Sequence, residues 1–311
     1  MDLRQLAALV AIADHGSFSA AARALFTVQS NVSAHISRLE SELGVTLVER
    51  SNGTLTDAGA LVVDRARRVL REVDDITAEL AAPGAEVSGE TRLGVIGTTA
   101  RWLMPQLLTR LGAAYPDVHP IVFEGSTSAL VPRLLGGQID GALVHLPVDE
   151  PELQVEPLFA EDMLLVVPAS HHLADRDQVP LRALAGEPLL LPPRSAVLRQ
   201  MIDRAATAVG VTLHPQAEID GVRLLASLAF EGFGAAIVPA TATPAWLRGE
   251  FHRVAVPELP RRVVGWVQRR RPIPGPATRA TLEVVRDLVA EAGPTMAGVQ
   301  TRADLLSRPR T

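Results

Sequence analysis

The sequence predicts an α/β protein in which a small all-α head with a wing precedes a larger α/β module, the two joined by one long helix. Three observations carry this. The first 58 residues hold three short amphipathic segments and then an alternating stretch around Asn52–Gly53. Residues 59–82 repeat apolar side chains in steps of four and three. From residue 90 onward, short apolar runs alternate with helical ones, the pattern of a layered α/β domain.

In the head, Leu3, Leu6, Val10 and Ala13 recur at helical spacing as far as His15–Gly16, a glycine stop. Ser17 is a good N-cap for a second helix that buries Phe18, Ala21, Ala22 and Leu25. The small residues of "SAAARA" allow another helix close approach. A third helix is predicted from about Gln29 to Leu43, with Val32, Ile36, Leu39 and Leu43 inward and Gly44 ending it. "VTLVERSNGTLT" alternates about Asn-Gly, a strong hairpin signal. Three helices and a hairpin describe a winged helix-turn-helix.

Beyond Asp57, Val62, Ala66, Val69, Val73, Ile76 and Leu80 form a heptad seam along about 26 residues, roughly 39 Å of helix. So narrow a stripe favours pairing with a second long helix, most simply that of another copy. Pro83–Gly84 ends it, and "APGAEVSGE" reads as a linker. The α/β module follows. Strands are expected in "TRLGVIG", "VHPIVFEG", "DGALVHLP", "DMLLVVPA", "EPLLLPP", "AAIVPA" and "RRVVGWVQ", with helical segments between them. "ATRATLEVVRDLVAEAG" closes the module, and the stretch from Pro294 to Thr311 lacks periodicity and is expected to be mobile.

Composition narrows the chemistry. The 311 residues include no cysteine, which removes thiol nucleophiles, thiolate zinc sites and thiol redox sensing. All thirty basic residues are arginine, so Schiff-base and P-loop lysines are absent too. The net charge of −5 argues against a non-specific nucleic-acid coat. No apolar run is long enough to span a bilayer, and the first residues lack a cationic leader, so a cytoplasmic protein without membrane association is expected.

The ordered residues Gly16–Ser17–Phe18, Ala21–Ala22, Leu25, Gln29–Ser30, Val32–Ser33, Ile36, Leu39–Glu40, Leu43–Gly44, Leu47, Arg50, Leu55–Thr56 and Ala58–Gly59 resemble the head of the LysR-type transcriptional regulators. The resemblance extends over nearly the whole chain. It implies a DNA-binding domain at 1–58, a coiled-coil linker helix and hinge at 59–89, and a two-lobed α/β effector domain at 90–295 like a periplasmic binding protein. Lobe I is expected at about 90–163 and 268–295, lobe II at about 164–267, with a flexible tail at 296–311. The sequence departs from the family at Ala34 and Ser37, where a basic residue is common, at Val48 in place of Phe, and in a short wing. These changes predict modest affinity per half-site and dependence on oligomerisation.

On this reading the partners are double-stranded promoter DNA, further copies of the chain as dimer or tetramer, and a small-molecule effector. RNA polymerase is a further partner the resemblance admits; no cofactor is implied. A helix entering the major groove needs side chains that match base edges. Gln29, Asn31 and His35 are the base-reading candidates, with Ser30 adaptable. Ser17, Ser33, Arg38 and Arg50 are expected on phosphates, and Asn52 and Thr54 at the backbone or minor groove. The alternative for Gln29 to Asn31 is helix capping.

In the α/β module, Thr98–Thr99, Ser126–Thr127–Ser128 and Arg194–Ser195 each precede or open a helix, where free N–H groups attract anions. Converging on one cleft, they suit a carboxylate-bearing metabolite; taken singly, each is equally an ordinary N-cap. Matching family cleft positions adds Arg101, His145, Val197, Gly221 and Trp266. An effector-independent architectural DNA binder is the alternative function. An enzyme with an accessory DNA-binding head is disfavoured, because no G-x-S-x-G elbow, Walker loop or dinucleotide fingerprint is present. His171–His172 lies in a turn and is not expected to hold a metal.

Overall fold

The computed structural model describes residues 1–50, 53–79, 86–244 and 246–301. The chain divides into two compact units, Met1–Ala85 and Glu86–Thr311.

The first unit comprises α1 (Leu3–His15), α2 (Phe18–Ala24), α3 (Gln29–Leu43) and α4 (Asp57–Glu79). Asp2 and Gln5 cap α1 reciprocally, and Gly16 closes it at φ 72°. Ser17 caps α2 by accepting the Ala20 N–H. Leu9, Ile12, Ala21, Val32, Ile36 and Leu39 meet in one core with Leu47 and Val48. Glu40 joins wing to helix: one oxygen accepts the N–H groups of Leu47 and Val48, at 2.8 and 3.1 Å, and the other holds Arg50. A side chain at Gly59 would collide with the Leu47 carbonyl, so the start of α4 can seat against the wing only as glycine. Among the described residues of the wing, Val48 and Leu55 form a single antiparallel bridge.

The heptad seam divides. Ala66 is buried and Val62 packs partly against the head core, together with Val63, which lies off the seam. Val69, Val73 and Ile76 stay exposed, Ile76 at 58%. Leu80 lies outside the described residues, as does Asn52 of the wing.

The second unit is built on two sheets. The first contains β1 (Gly89–Val95), β2 (Val118–Glu124), β3 (Gly141–His145), β4 (Leu153–Glu161), β10 (Arg262–Arg269) and β11 (Val299–Thr301) in the order β11-β4-β10-β3-β1-β2. The second contains β5 (Met163–Pro168), β6 (Pro188–Leu191), β7 (His214–Glu218), β8 (Ala235–Pro239) and β9 (Phe251–Ala255) in the order β7-β6-β8-β5-β9. Helices α5 (Gly97–Ala114), α6 (Thr127–Leu135) and α9 (Pro276–Ala292) belong to the first lobe, and α7 (Val197–Ala208) and α8 (Val222–Phe230) to the second. Each lobe has its own apolar core.

The chain crosses between lobes twice, at Glu161–Met163 and between Ala255 and Arg262. The return therefore comes earlier than the boundary expected at 268. The whole of β10 pairs antiparallel with β3 and β4 in the first lobe, and its apolar side chains fill that core. The stretch after Pro294 is also corrected as far as Thr301, because β11 adds an edge strand to β4.

Candidate functional site

On the head, the outward face of α3 carries the uncharged polar residues. Gln29, Ser30 and Asn31 are exposed, while Val32, Ile36 and Leu39 point inward. They do not cap the helix. Its N-cap is Val28, which makes no side-chain cap bond. Instead, Ser19 Oγ donates to Gln29 Oε1 at 2.8 Å and Asn31 Nδ2 donates to Thr27 Oγ1 at 3.0 Å. Each amide is held by one hydrogen bond and keeps other donors or acceptors free for a partner.

Four expected contact residues are placed differently. His35 is half-buried on the flank of α3, close enough to Asp2 to be felt electrostatically, with its Nδ1 buried. At about 100° per residue, the five residues from Ser30 to His35 turn it roughly 140° away from the Ser30 face and toward the core. Arg50 donates to Ser33 Oγ and Ser37 Oγ at 3.0 Å each, and to Glu40 at 2.7 Å, and its guanidinium lies 5.3 Å from the Phe18 ring. Arg50 and Ser33 are thereby a strut between α3 and the wing. Ser17 Oγ is occupied as the cap of α2. Arg38 is exposed and makes no side-chain hydrogen bond or ion pair among the described residues, leaving its charge available; Thr54 is exposed on the wing.

In the second unit a cavity of about 510 Å³ opens between the lobes. Thr98, Ser126, Thr127, Ser128, His145, Val197 and Gly221 line it, as expected from sequence. Four helices, α5, α6, α7 and α8, begin at this cavity. Their N-caps are Ile96, Ser126, Ala196 and Gly221, and none makes a side-chain cap bond. Ser126 Oγ pairs with Ser128 Oγ at 3.0 Å, and Thr127 Oγ1 accepts the His145 N–H at 3.1 Å. The ordinary-cap alternative therefore does not describe these hydroxyls. Among the described residues no N-cap side chain satisfies the helix N–H groups that face the cavity.

The remaining expected residues lie elsewhere. Thr99 is fully buried and does not reach the cavity. Trp266 is 1% exposed in the first lobe's core, its Nε1 donating to Gln268, with Gly141 leaving room for the ring. On a strand, side chains alternate between faces, and Trp266 falls on the inner one. Arg194 and Ser195 are exposed in the turn before α7, which starts two residues later than the pair. Arg101 lines a separate pocket.

Four charged residues at the cleft carry no signal in the sequence. Arg262 and Glu161 form an ion pair buried at the floor, 3% and 0% exposed, and Arg262 Nη2 also donates to Thr98 Oγ1 at 2.6 Å. Glu161 further accepts the Thr241 N–H at 2.8 Å. At the mouth, Arg223 of α8 pairs with Glu124 at 2.6 Å, bridging the two lobes. None of these sits in a recognisable motif. They are 101 and 99 residues apart, and only the double crossing of the chain brings them together.

Burial, reinforced by the positive charge of Arg262, pushes the His145 imidazole down to about 3. It is therefore neutral throughout the physiological range. Because its folded value lies below the unfolded one, the unfolded chain binds the extra proton first. Stability is complete above about pH 6.5 and falls as pH drops toward 3, at roughly 1.4 kcal/mol per unit. His145→Gln is expected to flatten thermal stability between pH 4 and 6 relative to the parent; parallel profiles would contradict the assignment.

His171, His172 and Glu187 bring three ligand-type atoms within 4.8 Å of one another. His171 Nδ1 accepts the Leu173 N–H, so its own proton is at Nε2, directed to Glu187. That tautomer offers a donor where a metal needs a lone pair. Among the described residues no helix is long and apolar enough to cross a membrane.

With the geometry in place, comparison with known proteins is specific. Residues 3–60 match the family described as "Bacterial regulatory helix-turn-helix protein, lysR family", and residues 84–290 match "LysR substrate binding domain". The chain is 33% identical over 294 residues to the DNA-binding transcriptional dual regulator OxyR of Escherichia coli, covering 93% of this chain and 95% of that one. Among solved structures it resembles a full-length cysteine-to-aspartate variant of OxyR from Pseudomonas aeruginosa, with a TM-score of 0.69 and 25% identity over 94% and 95% of the two chains. A peroxide-bound cysteine-to-serine variant of Corynebacterium glutamicum OxyR gives a TM-score of 0.63 and 26% identity over 94% and 93%. The chain belongs to the LysR family of DNA-binding transcriptional regulators, with a winged helix-turn-helix head and an effector-binding domain.

Proposed function

We propose that this regulator binds promoter DNA as a symmetric oligomer in the cytoplasm and responds to a small organic anion held between the lobes of its second unit. The observation that carries the ligand class is the set of four helix N-termini, none capped by a side chain, around one cavity. Aligned N–H groups and helix dipoles favour negative charge at that point. The acids at the rim do not reverse this: Glu124 is neutralised by Arg223, while Asp220 offers an acceptor for a hydroxyl or amino group on the same ligand.

Gln29, Ser30 and Asn31 read bases in this proposal. Asn31, fixed by Thr27, retains an amide oxygen and one N–H, the pair that matches an adenine edge. Arg38 and the backbone around Thr54 hold phosphates and set register. Exposed Val69, Val73 and Ile76 on α4 support pairing with a second copy, so that two heads meet two half-sites.

The relatives' names point to hydrogen peroxide, yet a thiol-based response is not open to a chain with no cysteine. The test takes promoter fragments from genome-wide occupancy and compares DNase footprints with hydrogen peroxide and with individual organic acids. An organic acid is expected to change footprint length or hypersensitivity while peroxide leaves it unaltered. A peroxide-dependent footprint, or footprints indifferent to every acid, would count against the proposal. An architectural role without ligand would give the second of these patterns.

A further inference from the structure

The turn that joins α2 to α3 breaks two local rules at closely spaced positions. Phe26 holds a φ of 51°, and among the described residues no other side chain bearing a Cβ sits at positive φ. It lies where α2 ends in a Schellman turn: the Phe26 N–H donates to the Arg23 carbonyl and the Thr27 N–H to the Ala22 carbonyl, at 3.1 and 2.9 Å. Glycine suits that position, and a bulky side chain makes it costly. Two residues on, Val28 occupies the N-cap of α3, where Ser, Thr, Asn or Asp would hold a free helix N–H and valine cannot.

Packing within the head does not offset these costs. Phe26 is 98% exposed and Val28 60%, and neither belongs to the head core. Two departures from local preference, close together and without gain in the folded chain alone, mark a surface kept for a partner.

The surroundings say which partner. Val28 directly precedes Gln29, Ser30 and Asn31, the exposed polar edge of α3, and Thr27, between the two apolar residues, holds the Asn31 amide. The apolar pair is therefore continuous with the helix start that meets base edges. From His15 to Leu39 the chain carries Arg23 and Arg38 and no acid, although the whole chain has a net charge of −5. A surface cleared of negative charge can lie between two rows of phosphates. In the major groove the apolar group that base edges offer is the thymine methyl.

We infer that Phe26 and Val28 contact thymine 5-methyl groups and so add an apolar element to sequence readout. This rests on the reading of α3 as the helix that meets base edges. The polar side chains of α3 match donors and acceptors, while the turn before it selects the methyl that hydrogen bonding ignores.

The test measures binding of the full chain to one promoter fragment, identified by genome-wide occupancy and made either with thymidine or with deoxyuridine, whose base lacks only the methyl. The parent is expected to bind the thymine fragment about tenfold more tightly, because each of two heads buries methyl surface. Phe26→Gly and Val28→Ser should each reduce this preference, and the combined variant should bring it within about twofold. All three should melt no lower than the parent, since glycine accepts the left-handed turn and serine supplies the missing cap. Equal parental affinity for the two fragments would overturn the inference. So would a preference that survives in the combined variant, which would assign it to DNA shape. Variants that melt well below the parent would assign the two side chains to the fold, and affinity lost equally for both fragments would assign them to a contact other than the methyl; either result overturns the inference too. Gln29→Ala with Asn31→Ala separates the two readings. Loss of promoter preference in that variant, with no thymine–uracil difference in the parent, keeps α3 as the reading helix and removes only the methyl contact.

Discussion

Replacing Arg262 with methionine is expected to lower the melting temperature of the second unit by roughly 10 °C, the largest effect of any single substitution considered for this protein. The reason is what the change leaves behind. Glu161 is fully buried, and among the described residues its carboxylate without Arg262 retains only the Thr241 N–H. An uncompensated buried charge costs about 3–5 kcal/mol. Thr98 at the cleft floor loses its 2.6 Å donor at the same time. The paired replacement Glu161→Leu with Arg262→Met removes both charges together and is expected to recover most of the loss, because desolvating an ion pair offsets much of its attraction. Thermal melts of the two variants separate these cases. A methionine variant melting within about 2 °C of the parent would show that Glu161 is not left with an uncompensated buried charge.

The second large effect concerns the head. Gln29→Ala combined with Asn31→Ala is expected to reduce preference for promoter over random DNA by at least about 100-fold. Each lost base contact costs roughly 1–3 kcal/mol of discrimination, and a symmetric dimer makes it at two half-sites. Neither residue is charged, so the dependence of non-specific binding on salt should not change. Arg38→Gln should do the reverse: affinity falls for all sequences alike and the salt slope drops by about 1 per head. Binding to promoter and scrambled fragments across a salt series distinguishes them. If the double alanine variant keeps its preference, the exposed face of α3 is not what reads sequence.

The two halves of the molecule were not equally legible in the sequence. In the head the helix ends coincide with expectation to within a residue or two, because local chemistry sets them: Ser17 caps, Gly16 and Gly44 adopt the left-handed conformation, and the apolar stripe of α3 has the helical period. The same logic found α6 and α7 opening near Ser126 and Val197. Strands β4, β7, β9 and β11 were missed. Strands β7, β9 and β11 are short and β7 is exposed at every position, while Pro157 interrupts the nine-residue β4, so alternation gave no signal. The heptad seam was read as one surface, but its first two residues serve the head's own core, a choice made by how α4 meets α1.

From its sequence alone this chain is fixed as a winged helix-turn-helix joined to a two-lobed α/β module, without cysteine or lysine chemistry, and with polar side chains on the outward face of its third helix. These are consequences of local propensity, periodicity and composition, which neighbours along the chain suffice to set. Tertiary structure decided that four helix starts share one cavity and that Arg50 is a strut. It also put Trp266 in a core, joined Arg262 to Glu161, and gathered Arg101, Arg248 and Arg253 in a second pocket. Those facts depend on residues far apart in sequence, brought together by two crossings between lobes, and no local pattern encodes where such partners meet.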